Sequence, residues 1–163
     1  MKFMRLPPRA RDEYLTMLSG FPAYVERVFS GLPPARLCCN SQDGGFSPVE
    51  QVWHLADLEE EGFTTRINAL LAGNAPHLPD FDGDRAARER NYKSLSFSDG
   101  LEKFRAARIQ NTERFRAMDM ESWNNPGHLA GVGKITLCDI PSFMHQHDQS
   151  HRQEIEAWLA TAG

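Results

Sequence analysis

At 163 residues the chain is long enough to bury a core of its own, and 40% apolar with 25% charged residues is the balance of a globular protein, not a disordered one. Eighteen basic against 22 acidic side chains leave a formal charge of −4, without the clustered lysine and arginine surplus that neutralises a phosphate backbone, so nucleic acid is not an expected partner. No apolar stretch approaches the roughly 20 residues that cross a bilayer, and Met1–Arg11 carries Lys2, Arg5, Arg9 and Arg11 but lacks the apolar segment of a secretion signal.

These features predict a cytoplasmic protein with no membrane partner and one domain over residues 1–163. Cys38, Cys39 and Cys138 agree with that reading. An odd count with an adjacent pair and no C-x-x-C spacing makes neither a disulfide framework nor a thiolate metal site, and Cys138 reads as a core residue.

Four long segments carry helical periodicity. The first runs from about Pro8 to Ser30 and buries Leu15, Leu18, Val25, Val28 and Phe29. Pro22 is expected to kink it, and Gly31–Pro34 ends it. The second start is the clearest: Ser47, Pro48 and Glu50 form a capping box with proline at the first helical position. From there Val49, Val52, Trp53, Ala56, Phe63, Ile67 and Leu70 recur at helical spacing, until Gly73–Pro76 closes the helix near Leu71.

His77–Asp84 reads as a loop and Arg85–Tyr92 as a short charged extra helix. A third long helix follows from about Phe97 to Met118, burying Leu101, Phe104, Ile109 and Phe115. Asn124–Lys134, with its three glycines, reads as a surface connection, and no strand ladder is expected. The last helix starts near Thr136, with Thr136 and Asp139 as a capping pair, and continues to about Ala160. The fold class is therefore all-α, a four-helix bundle with a short extra helix in the connection between the second and third helices.

On the last helix, Ile140, Phe143, Met144, Ile155 and Trp158 share one side, and His147 and His151 fall in the middle of that stripe, one turn apart. Two neutral imidazoles in an apolar interior each have a donor and an acceptor to satisfy, and a divalent cation takes one lone pair from each. The alternative is a structural pair hydrogen-bonded to neighbouring helices. The spacing is that of H-E-x-x-H proteases, but Asp148 stands beside His147 where those enzymes have Glu, and no downstream ligand follows. A third ligand is not chosen by periodicity. His77 and His128 lie in expected loops, His145 projects to another face, and His54 sits on the flank of the second helix's apolar stripe. Asp57, one turn beyond His54, and Glu154, on the side of His151, are candidate carboxylate partners for ligand imidazoles, against the plainer reading of both as surface residues.

Gly45–Glu59 resembles the second helix of the DinB/YfiT-like superfamily, and His147–Ile155 resembles that family's final-helix H-D-x-x-H run. Glu89–Tyr92 and Gly133–Leu137 stand where similar words occur in the family, so the likeness extends from about Leu37 onward. The resemblance implies a four-helix bundle, often a homodimer, in which His54, His147 and His151 bind a divalent metal, zinc or nickel before iron, with positions left open. It implies a small-molecule substrate and thiol S-transfer with a low-molecular-weight thiol. Metal-dependent hydrolysis, for which Glu154 or Asp148 would be the base, and a metal-binding or stress-response role without turnover are the alternatives. No further catalytic residue is implied.

Overall fold

The computed structural model describes residues 7–161; Met1–Leu6, which hold part of the basic N-terminal stretch, and Ala162–Gly163 lie outside them. The long helices are α1 (Pro8–Phe29), a composite helix of α3 (Pro48–Asp57) and α4 (Thr65–Ala72) joined by a π-helical turn (Leu58–Thr64), α6 (Phe97–Ala117) and α7 (Ile140–Thr161). Short helices α2 (Pro34–Leu37) and α5 (Gly83–Glu89) lie in the connections. The expected bundle and extra helix are present. α3 packs on α6, α6 on α1, and α1 on α7, whereas the backbones of α3 and α7 make few close approaches.

The helix starts follow local chemistry. At α3 the Ser47 side chain accepts from the Glu50 amide, and Glu50 Oε2 accepts the Ser47 amide at 2.8 Å, the reciprocal box read from the sequence. Before α7, Asp139 Oδ2 accepts the Thr136 amide at 2.7 Å, and one tight turn, Leu137–Asp139, precedes the helix. α1 runs through Pro22. Proline has no amide proton, so the Leu18 carbonyl four residues back loses its helical donor. Arg108 Nη1 on α6 donates to it instead, at 3.1 Å.

The segment Asn124–Lys134 is more than a surface connection. β2 (Pro126–Leu129) and β3 (Gly133–Thr136) form an antiparallel hairpin, and β1 (His77–Leu78) joins β2 in parallel, with His77 opposite His128. Gly127, Leu129 and Ile135 face inward, which is why the hairpin is held against the bundle end. Strands this short, diluted by glycine, carry too little period-2 signal to be read from sequence.

The core has two apolar clusters. One holds Leu18, Leu58, Phe115 and Met144; the other holds Phe21, Leu55, Phe104 and Ile155. Between these clusters lies a polar level: α6 buries Arg108 and Asn111 there, α7 buries Asp148 and His151, and Glu59 of the π-turn meets Arg108 and Asn111. Cys138 is a core residue as expected, while Val28 is only partly buried. Ile109 is a correction: it is 49% exposed, and its neighbour Arg108 is 1% exposed in its place. No helix among the described residues is long and apolar enough to cross a membrane.

Candidate metal centre

Three histidines converge at the polar level where α3 faces α7. His147 Nε2 lies 3.3 Å from His54 Nε2 and 3.0 Å from His151 Nε2. Among the described residues they are the one group of metal-ligand side chains brought together, with ligand atoms all within 4.8 Å of one another. The three rings fill the gap that the α3 and α7 backbones leave open.

The surroundings fix the ring orientations. Gln51 Nε2 donates to Glu154 Oε2 at 2.8 Å, which turns Gln51 Oε1 toward His151; Nδ1–H of His151 donates to that oxygen at 2.6 Å. Glu154 Oε2 lies 3.1 Å from the same nitrogen. His151 therefore keeps its proton on Nδ1 and aims a bare Nε2 lone pair at the other two rings, the tautomer of a metal ligand. The His54 ring sits among Phe46, Phe81 and Gly83, and its buried Nδ1 has no hydrogen-bond partner. Gly83 is required to be small: a β-carbon there would stand 2.2 Å from His54 Cε1.

Electrostatics keep the His54 and His147 rings neutral. Burial, then the neighbouring His151, holds His54 down at about 4, against the opposing pull of Glu154 and Asp57. Burial, followed by His151, His54 and Arg108, holds His147 well below its ordinary value. Burial would raise the Glu154 carboxyl, but its bonds to His151 and Gln51 outweigh that and lower it.

The donor set fits a divalent cation. Metal–nitrogen bonds of about 2.0–2.1 Å in a tetrahedral set separate the nitrogens by about 3.3 Å; two of the three spacings here are 3.3 and 3.0 Å, and all the ligand atoms lie within 4.8 Å of one another. Hydrogen bonding alone does not account for the arrangement, because Nε2 of His147 faces two other Nε2 atoms and can give a proton to only one of them.

The other candidates go elsewhere. Both Asp148 oxygens are held by Arg108, at 2.7 and 2.9 Å, so this carboxylate is tied into the core and is not free to act as a base. Asp57 is not the partner of His54. Its carboxylate accepts from Tyr92 at 2.6 Å, Arg90 at 2.6 Å and Lys103 at 2.8 Å. Burial alone would raise it, and these three donors hold it below the usual range. The network fastens the segment after α5 to α3 and so keeps Gly83 against His54. The His77 and His128 rings meet at a tilt, 5.2 Å apart, and His145 meets Tyr14 at 5.4 Å, all apart from the centre.

Sequence reasoning missed Gln51, Gly83 and Arg108. Gln51 left a trace, since it lies one turn before His54 and next to the inward Val52; Gly83, in an expected loop, left none. A cavity of about 270 Å³ opens beside the centre, lined by Ser41, Asp43, Phe46, Gln51 and Glu154 among others.

No curated protein sequence matches the chain. Among solved structures, YfiT from Bacillus subtilis, described as a probable metal-dependent hydrolase with an unusual four-helix bundle topology, aligns with a TM-score of 0.83 at 17% identity, covering 96% of this chain and 88% of that one. That likeness is one of fold. The family profile described as the DinB superfamily matches residues 17–155, and the chain belongs to that superfamily.

Proposed function

We propose that His54, His147 and His151 bind one divalent cation, zinc or nickel before iron, and that the chain is a metal-dependent enzyme acting on a small molecule. The observation that carries this reading is the convergence of three imidazoles, with His147 Nε2 at 3.3 and 3.0 Å from the other two Nε2 atoms, all ligand atoms within 4.8 Å, and the His151 tautomer fixed from behind by Gln51. Three protein ligands leave coordination positions open, and a cation so held supplies Lewis acidity that lowers the pKa of a thiol or water entering there.

Of the reactions open to such a centre, transfer of a low-molecular-weight thiol to an electrophile fits the chain's residues best. Hydrolysis gains from a base aimed at the attacking water, and of the two carboxylates considered for that part Asp148 is committed to Arg108 through both oxygens, while Glu154 is drawn by Gln51 and His151 through Oε2. A thiol is far more acidic than water and would give up its proton to solvent at such a cation, so thiol transfer depends less on a positioned base. Phe46, Gln51 and Glu154 then line the entrance from the adjoining cavity and orient the substrate. Hydrolysis is the second reading, favoured by the description of YfiT.

Cobalt-loaded, tag-free protein titrated with L-cysteine separates the two. The transferase reading predicts a thiolate charge-transfer band that is lost in His151→Ala. Its absence, together with His151-dependent turnover of an activated ester, would replace transfer by hydrolysis. With cation bound and neither signal seen, the chain is a metal-binding protein without turnover.

A further inference from the structure

Glu59, Arg108 and Asp148 are 1%, 1% and 2% exposed and form one ion cluster between the two apolar cores. The Arg108 guanidinium spans three long helices. It grips Asp148 of α7 with both terminal nitrogens at 2.7 and 2.9 Å, reaches Glu59 Oε2 in the π-turn at 3.0 Å, and caps Leu18 O of α1 at 3.1 Å. Glu59 is braced from its other side, as Asn111 Nδ2 donates to Oε1 at 3.0 Å and Thr64 Oγ1 to its carbonyl at 2.9 Å.

The placement of these carboxylates is informative. Asp148 lies between His147 and His151 on α7, and Glu59 follows His54 on the same composite helix. Since the α3 and α7 backbones make few close approaches, side chains set the distance between the His54 ring and the other two. Gln51, bonded to His151 and Glu154, links the helices on one side of the rings, and a guanidinium from α6 that holds one carboxylate from each helix links them through the buried ion cluster. We propose that Arg108 is the positioning residue of the three-histidine centre, fixing the relative depth of the helix that carries His54 and the helix that carries His147 and His151; this rests on the cation-binding reading given above.

A planar fork with parallel N–H donors is needed for that task. Lysine keeps the charge, but its single ammonium cannot hold Asp148 at two points while reaching Glu59 and Leu18. Arg108 is thus separable from a group that merely neutralises buried charge.

The test compares full-length wild type, Arg108→Lys and Val25→Ala, the last a core truncation at a fully buried position on α1. Two quantities are read: the histidine ring ¹⁵N and Cε1–H resonances of metal-free protein, and cobalt(II) affinity with its d–d spectrum. Arg108→Lys is expected to displace the His54, His147 and His151 resonances, to weaken cobalt binding about tenfold or more and to alter the d–d band. Val25→Ala is expected to lower Tm while leaving the histidine resonances, the cobalt affinity and the d–d spectrum in place. Wild-type resonances and affinity in Arg108→Lys, or equal changes in Val25→Ala, would overturn the proposal. If wild type takes up no cobalt, the cation reading fails, and the metal-free resonances alone decide the positioning claim. If Arg108→Lys does not fold, Asp148→Asn replaces it, with the same displacement expected and unchanged resonances overturning the proposal.

Discussion

His151 Nδ1 stands 2.6 Å from Gln51 Oε1, so a glutamine on α3 decides which nitrogen of a histidine on α7 is free. Replacing it by leucine removes the acceptor that holds the ring in its ligating tautomer. Gln51→Leu is predicted to lower cation affinity by about tenfold, the lower end of what outer partners of ligands contribute, since Glu154 Oε2 at 3.1 Å remains as a more distant acceptor that has itself lost its Gln51 donor. Competition against a chromophoric chelator measures this, and far-ultraviolet circular dichroism should show unchanged helicity.

Gly83 makes a second specific demand. The β-carbon of an alanine would overlap the His54 ring, 2.6 Å from Nδ1 and nearer still to Cε1, so the ring must turn or retreat. Gly83→Ala is predicted to weaken cobalt binding and broaden its d–d band with little loss of thermal stability, because the position is the first residue of a short helix and its clash is with one side chain. Wild-type affinity in this variant would mean that His54 does not need its present orientation.

The depressed histidines give metal-free protein a defined pH response. The folded state keeps His54 neutral down to about 4, whereas an unfolded histidine titrates near 6.5. Between those values the unfolded state binds the extra proton, so stability falls as pH falls through the window and levels off below it. From pH 7.5 to 5, His54 alone predicts a loss of about 2 kcal/mol, and His147 acts in the same direction. Urea unfolding with chelator present reads the difference, and His54→Gln should make the dependence shallower. Equal stability at the two pH values would contradict neutral burial of the rings.

Much of this structure was legible in the sequence where the signal is local. The Ser47–Glu50 box, the apolar stripe of α7 and the His147/His151 pair depend on spacings within one helix. The polar level was not legible, because hydrophobic periodicity favours Ile109 as an inward residue and treats Arg108 as solvated. Arg108 is inside because Glu59, Asp148 and Leu18 O, all distant in sequence, supply its partners. Asp57 failed as a partner of His54 for the same reason: its carboxylate answers to Arg90, Tyr92 and Lys103. The π-helical turn and the three-residue spacing of the hairpin loop leave no periodic trace. The corrected orientation of α6 is checked by stability. Ile109→Glu should change it by less than about 0.5 kcal/mol, whereas Arg108→Met, which strands two buried carboxylates, should cost about 3–5 kcal/mol.

Cobalt(II) titration of metal-free, tag-free protein bears most directly on the three-histidine centre. Wild type is expected to show d–d absorption that saturates at about one equivalent, and this absorption to collapse in each of His54→Ala, His147→Ala and His151→Ala, while His145→Ala titrates like wild type. Absence of uptake by wild type, or uptake that survives removal of any one of the three imidazoles, would contradict the three-histidine centre.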